Sequence, residues 1–308
     1  MSDKTMRAAL VRTPGDADAI ELVSVPTPVP SFGEVRVRVE AATVNPVDVQ
    51  TRGGVYHRLG WVASSEVGLG WDVVGVVDAV GDGVADLSGG ERIAALLAGV
   101  DRGPGAYAEL AIVPASDLAE VPSALSAELA ATVPLNALTA QQALELLGAP
   151  NGRHLLVTGA GGAVGGYASE LASELGFRVT GLARPADEAF VAGTGASFVD
   201  TLPDSPHFDA AFDAAVIGSG VLMSIRDGGH YVGVAPAAVP DAPRDITSEA
   251  VLVAPNGAQL SALLDAAARG SITPRVHRTL PLERAAAAHR ELEAGGVRGR
   301  IVLTPSRT

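Results

Sequence analysis

The residues with the clearest chemical potential form one stretch, Leu155-Leu156-Val157-Thr158-Gly159-Ala160-Gly161-Gly162-Ala163-Val164-Gly165-Gly166. An apolar strand pattern gives way there to a helical one, and glycines recur at 159, 162 and 165. That G-x-x-G-x-x-G spacing departs from strict G-x-G-x-x-G but sits in the context a dinucleotide fingerprint requires. Without side chains, backbone N–H groups approach a pyrophosphate closely, and the positive end of the following helix stabilises the anion. Gly159, Ala160, Gly161, Gly162, Ala163, Val164 and Gly165 are therefore candidate cofactor-binding residues. A tight βα turn that holds no ligand is the alternative. The group that reads the adenosine ribose belongs at the end of the next strand, where NAD enzymes place an Asp or Glu. Here the chain reads Thr180-Gly181-Leu182-Ala183-Arg184, and a guanidinium suits a 2′-phosphate. Asp187 and Glu188 follow Pro185, where they suit the first turn of the next helix. NADP(H) is expected over NAD(H), with a solvated surface charge as the alternative for Arg184.

The elements that must position this turn lie on either side of it. A strand is expected at His154–Thr158, a helix at 164–175 closed by Gly176, and a second strand at 177–183. Within the helix, Ala168, Leu171, Ala172 and Leu175 recur at i, i+3, i+4 and i+7, which makes one apolar face. Further strands are expected at 197–200, 208–213, 230–235 and 250–254. Six strands joined by helical crossovers make a parallel doubly wound sheet. The preceding chain has a different texture, with strands at 6–11, around Val35, Val37 and Val39, at 73–80 and at 106–113. Pro26, Pro28 and Pro30 impose an extended connector, and Gly81-Asp82-Gly83 turns the chain. Short strands with such punctuation point to a small barrel or sandwich. Beyond residue 256 come helices at 258–269 and 282–293 and a closing strand at 300–303.

Composition narrows the chemistry. The absence of Cys excludes disulfides, thiolate nucleophiles, iron–sulfur clusters and every Cys-based zinc site. His57, His154, His207, His230, His277 and His289 show no metal-ligand spacing, so no metal is expected. With 22 Lys and Arg against 35 Asp and Glu, the net charge is 22 − 35 = −13, which argues against a nucleic-acid partner. No apolar run approaches the about 20 residues that span a bilayer. The first residues lack the apolar core of a signal peptide. A soluble cytoplasmic protein with no membrane partner is expected, and 308 residues point to two domains.

Several further segments lie in order along the chain: Gly33-Glu34-Val35, Val44-Asn45-Pro46-Val47-Asp48, Gly70-Trp71-Asp72, Gly105-Ala106-Tyr107-Ala108-Glu109, Leu138-Thr139-Ala140 and Gly299-Arg300-Ile301-Val302-Leu303. Together with the glycine turn, they resemble the zinc-independent quinone oxidoreductase branch of the medium-chain dehydrogenase/reductase superfamily, essentially end to end. The resemblance implies an α/β fold class: a GroES-like β-rich catalytic domain from residues 1–124 and 256–308, and a Rossmann doubly wound parallel sheet at 125–255. Zinc members carry a Cys near the Asn45 region and a Gly-His-Glu segment where this chain has Gly70-Trp71-Asp72.

The implied activity is NADPH-dependent hydride transfer to a quinone or similar conjugated carbonyl without a metal. Such transfer needs an acceptor carbon within about 3–3.5 Å and donors for the developing oxyanion. An enoyl reductase acting on the C=C of an α,β-unsaturated carbonyl is the alternative. An NADPH-binding structural or sensor protein with little turnover is a third reading. By resemblance, Asn45 sits beside the nicotinamide ribose or substrate carbonyl, and Thr139 faces the nicotinamide. Gly233, Val234 and Ala235 line the cofactor cleft, and Arg300 reaches the cofactor phosphates. Tyr56 matches a tyrosine that some enoyl reductases use as proton donor, so Asn45 and Tyr56 are the catalytic candidates. The alternatives are a turn or helix start at Asn45-Pro46, a helix cap at Thr139, an exposed strand charge at Arg300 and simple packing of Tyr56. Trp61 and Trp71 either wall the cleft for a flat substrate or fill core, and Trp71 is read as core. A homodimer is also implied.

Overall fold

The computed structural model describes residues 5–305. In chain order it begins with β1 (Thr5–Val11), β2 (Ile20–Pro26), β3 (Glu34–Val44), α1 (Pro46–Arg52), α2 (Val55–Arg58), β4 (Val67–Gly68), β5 (Asp72–Val80), β6 (Arg92–Leu96), β7 (Leu110–Pro114), β8 (Leu118–Glu120) and α3 (Ala127–Ala131). Alternation organises this region. Val35, Val37 and Val39 of β3 are buried between less buried Glu34, Arg36, Arg38 and Glu40. At Ala41 the alternation stops, and Ala41 to Val44 are all buried. The cause is a register shift against β5 between Val39 and Ala41, which re-aims the strand as bulges do. β3 thus presents one end to β7 and the other to β16 (Arg300–Thr304), which itself pairs in parallel with β15 (Val276–Pro281). The order is β15-β16-β3-β5-β6-β8 with β7 on β3, beside a smaller sheet β2-β1-β4.

α4 (Pro134–Leu147) leads into the second region: β9 (His154–Thr158), α5 (Ala163–Leu175), β10 (Arg178–Leu182), α6 (Glu188–Gly193), β11 (Ser197–Val199), β12 (Phe208–Asp213), α7 (Ser219–Leu222), β13 (Ile225–Gly233) and β14 (Thr247–Ala250). The six strands are parallel, in the order β11-β10-β9-β12-β13-β14. The order reverses between β9 and β12, so the carboxyl ends of those two strands flank the position where such sheets open a crevice. α8 (Gly257–Arg269) and α9 (Ala285–Ala294) complete the helices. No described helix is long and apolar enough to cross a membrane.

Two compact units result. One runs to Leu135 and takes back Ala254–Ala268 and the chain from Pro274; the other holds Asn136–Val253 and Arg269–Thr273. The first break falls later than residue 124 because α3 packs on β3 and β5. Residues 269–273 join the second unit because Ile272 is fully buried and Thr273 N donates to Glu170 Oε2 on α5 at 3.0 Å.

Several expected elements differ, among them the fifth strand of the parallel sheet, which runs Ile225–Gly233 rather than 230–235. The sixth strand of the parallel sheet is Thr247–Ala250 rather than 250–254, and Leu252 in the expected run is exposed. Residues 106–109 precede β7 instead of joining it, because Ala106 and Tyr107 bond to Gly70 and Leu69. The helix expected at 282–293 opens with a 3-10 turn at Leu282–Arg284. Leu175, placed on the apolar face of α5, is exposed at its last turn, whereas Ala168, Leu171 and Ala172 are buried.

Candidate functional site

In the second unit, β9 runs into the glycine turn. Gly159 adopts φ +61°, a left-handed conformation that a side chain disfavours. A Cβ on Gly165 would lie 2.3 Å from the Gly159 carbonyl oxygen, so α5 closes on the turn backbone to backbone. Gly162 caps α5 with extended backbone and no side chain, and the first turn of α5 holds no acidic residue. A main-chain bend at a helix N-terminus with no carboxylate in that first turn fits the pyrophosphate of a dinucleotide.

Beside the turn, a buried polar knot joins three strand ends. Asp213 Oδ1 accepts from the Thr158 hydroxyl at 2.5 Å, while Oδ2 accepts from Tyr231 Oη and Gly218 N, both at 2.8 Å. Ala215 N donates to Thr158 Oγ1 at 3.0 Å. These bonds hold the loop after β12, where Val216 adopts φ +56°, a strained value for a β-branched residue. Burial and the Asp213 hydrogen bond push the Tyr231 hydroxyl well above the usual phenol range. Tyr231 therefore stays a donor.

Arg184 lies past the end of β10, 56% exposed, and its Nε donates to Asp187 Oδ2 at 2.9 Å. Asp187 does lie in the first turn of the short 3-10 helix Pro185–Asp187, but its side chain is buried. It is 3% exposed at the N-cap of α6, seated against Gly161; Glu188 occupies the first turn of α6.

In the first unit a second knot surrounds Asn45. Asp72 accepts from the Thr43 hydroxyl, from Asn45 Nδ2 at 2.6 Å and from Leu135 N at 2.6 Å. Asn45 Nδ2 also donates to Thr43 Oγ1 at 3.0 Å, which commits both amide hydrogens. Pro46 opens α1 after Asn45, and Asp48 accepts from Asn45 N at 2.9 Å and Gly70 N at 2.8 Å. Burial raises the Asp72 carboxyl, although its hydrogen bonds and the Arg300 charge oppose the shift. Burial pushes Asp48 up to about 7 against its two backbone donors and Arg102.

The expected residues divide between these places. Asn45 and Arg300 fall in the first-unit knot, and Arg300 is buried, 8% exposed, rather than an exposed strand charge. Tyr56 stands apart: its hydroxyl donates to Gln50 Oε1 at 2.7 Å and its ring stacks on Trp61 at 5.6 Å. Trp61 is exposed; Trp71 is only partly buried, beneath the Arg102 guanidinium at 5.8 Å. In the second unit, Thr139 is buried in the interior of α4 and so is no cap. Gly159, Ala160, Gly161, Gly162, Ala163, Val164 and Gly165 form the turn and the start of α5, with Arg184 beyond the next strand. Gly233 ends β13, and Val234 and Ala235 follow it in the loop.

Sequence reasoning missed Thr43, Asp48 and Asp72 as one cluster, and Thr158, Asp213 and Tyr231 as another. The available signal was polar residues at the ends of apolar strands, as in Phe208-Asp209-Ala210-Ala211-Phe212-Asp213. Among the described residues, no group of three or more His, Asp or Glu is placed to hold a metal ion.

Among known proteins, the zinc-binding dehydrogenase family matches residues 184–303, and the alcohol dehydrogenase GroES-like domain matches residues 31–123. An NADPH-dependent alkenal/one oxidoreductase of Arabidopsis thaliana chloroplasts is 28% identical, covering 98% of this chain and 80% of its own. The solved quinone oxidoreductase of Coxiella burnetii is 27% identical with a TM-score of 0.88, over 98% of this chain and 100% of its own. A solved NAD-dependent alcohol dehydrogenase is 30% identical with a TM-score of 0.85, over 98% and 100%.

Proposed function

Because the chain belongs to the zinc-independent, quinone oxidoreductase-like branch of the medium-chain dehydrogenase/reductase superfamily, we propose that it is an NADPH-dependent reductase of a quinone or similar conjugated carbonyl, working without a metal ion. The observation that carries this reading is the pairing of a main-chain bend at Gly159–Gly165 with an exposed Arg184 past the next strand. The bend's amides and the α5 dipole favour a pyrophosphate, and the guanidinium favours a third anionic group on the adenosine ribose. Reduced nicotinamide, when bound, supplies the hydride.

The chain's own residues bind, orient and protonate. Thr139, Gly233, Val234 and Ala235 complete the second unit's cofactor-binding residues in this reading, and Arg300 is assigned to the cofactor phosphates by the family resemblance alone. Asn45, with its amide hydrogens locked on Asp72 and Thr43, gives the substrate pocket a fixed wall. Tyr56 is the proton donor; burial holds its hydroxyl above the ordinary phenol value, so it remains protonated at neutral pH. The similarity to an alkenal/one oxidoreductase supports the enone-reducing variant as the second reading. A homodimer in solution is part of the proposal, and a monomer-sized species in sedimentation would remove that part.

The test follows NADPH and NADH consumption with a panel of quinones and enones. Turnover with NADPH and quinones is the expected result, and the ratio of quinone to enone rates selects between the two readings. Tight NADPH binding with no turnover on either class would replace catalysis with a structural or sensing role. Tyr56→Phe is expected to lower turnover and shift its pH profile; an unchanged profile removes the proton-donor assignment.

A further inference from the structure

Gly161 was read as a place where backbone approaches a phosphate, yet its missing side chain serves another purpose in this fold. A Cβ there would lie 2.8 Å from both Cβ and Oδ2 of Asp187 and 2.7 Å from its Cγ. Gly161 therefore makes room for a buried carboxylate. Asp187 is tied to Arg184 twice, once through the main chain and once through the side chains: Asp187 N donates to the Arg184 carbonyl at 2.8 Å, and Arg184 Nε donates to Asp187 Oδ2 at 2.9 Å. Between them Pro185 opens the 3-10 turn Pro185–Asp187 with a fixed φ.

We propose that Asp187 is a positioning residue for coenzyme choice: lodged in the space left by Gly161, it holds Arg184 by Nε and aims the two Nη groups at the 2′-phosphate of NADPH. This rests on the NADPH reading of the preceding section. A guanidinium has five N–H donors in a planar fork, and holding it by Nε leaves the Nη donors for an oxyanion. An unrestrained Arg would have to be ordered on binding. The carboxylate also cancels much of the local positive charge, so selectivity rests on geometry rather than long-range attraction. NADH, which lacks the 2′-phosphate, gains nothing from the arrangement.

Calorimetric titration of the full-length protein with NADPH and with NADH tests this. Asp187→Ala is expected to weaken NADPH about five-fold and leave NADH unchanged. Asp187→Asn, which keeps an oxygen acceptor for Nε, is expected to retain most of the NADPH preference. On an Arg184→Ala background, Asp187→Ala should have no further effect on NADPH. Unchanged or tighter NADPH binding by Asp187→Ala overturns the proposal, because the carboxylate would then be a neutral or repulsive neighbour. Parallel weakening of NADH overturns it too, since the residue would merely support the turn. The two levels of argument fail differently. Wild-type protein without preference for NADPH removes the coenzyme reading, and the inference with it. A preference that Arg184→Ala abolishes and Asp187→Ala leaves intact removes only the inference.

Discussion

Each unit buries an aspartate at a strand end, and each aspartate accepts three hydrogen bonds, but the donors differ in kind. Asp213 Oδ1 faces the Thr158 hydroxyl, a rotor able to turn from donor to acceptor. Both oxygens of Asp72 face N–H donors: Leu135 N on Oδ1 and Asn45 Nδ2 on Oδ2. The Leu135 amide cannot reverse, and Asn45 reverses only by giving up its bond to Thr43. Two knots of similar composition therefore differ in tolerance. The first-unit knot requires a carboxylate, whereas the second-unit knot can accept an amide on one side.

The comparison breaks most severely where backbone meets backbone. Gly165→Ala places a Cβ 2.3 Å from Gly159 O, with no flexible side chain to move aside. It is expected to destabilise the protein by about 3 kcal/mol and to abolish dinucleotide binding. Denaturant unfolding and NADPH titration check both. A stable, binding-competent variant would show that the turn is looser than its geometry.

Next in size is the paired substitution. Asp72→Asn leaves a buried donor facing a donor and is expected to cost about 2–3 kcal/mol, against about 1 kcal/mol for Asp213→Asn. Equal losses in denaturant unfolding would erase the distinction between the knots.

Titration gives the sharpest separation between the units. In the second unit, burial and then the Arg178 charge lower His154 from 6.5 to about 4. The unfolded chain takes up that proton first, so stability falls as pH drops from about 6.5 to about 4. The first unit contains opposing groups. Asp48, raised by burial from 3.8 to about 7, makes stability fall as pH rises through that window. His289, lowered by burial from 6.5 to about 3, has the opposite slope. Acidification should therefore strip amide-exchange protection from β9 and β12 while β3 and β5 keep theirs, after correction for intrinsic rates. His154→Gln should flatten the second unit's response. Parallel loss in both units would contradict this assignment.

What could be read in advance was local. β9 and β12 have the expected limits, α5 begins one residue early, and Gly176 closes it in a left-handed conformation. Strand alternation, helical spacing and glycine turns depend on neighbours within a few residues, so a linear reading captures them. The candidate site was legible only in part, and Asp187 shows why. Its place after Pro185 marks a helix start, but whether its carboxylate faces water or Gly161 depends on how β10 and the glycine turn come together.

The sequence by itself determined the parallel sheet, the glycine turn and its capacity for an anion, because hydrophobic period and backbone freedom are properties of consecutive residues. Tertiary structure alone decided which carboxylates are buried and what they hold. Asp72 meets its partners across separations of 27, 29 and 63 residues. A carboxylate's protonation and reach follow from the dielectric and donors that surround it, and those are assembled only when the chain folds.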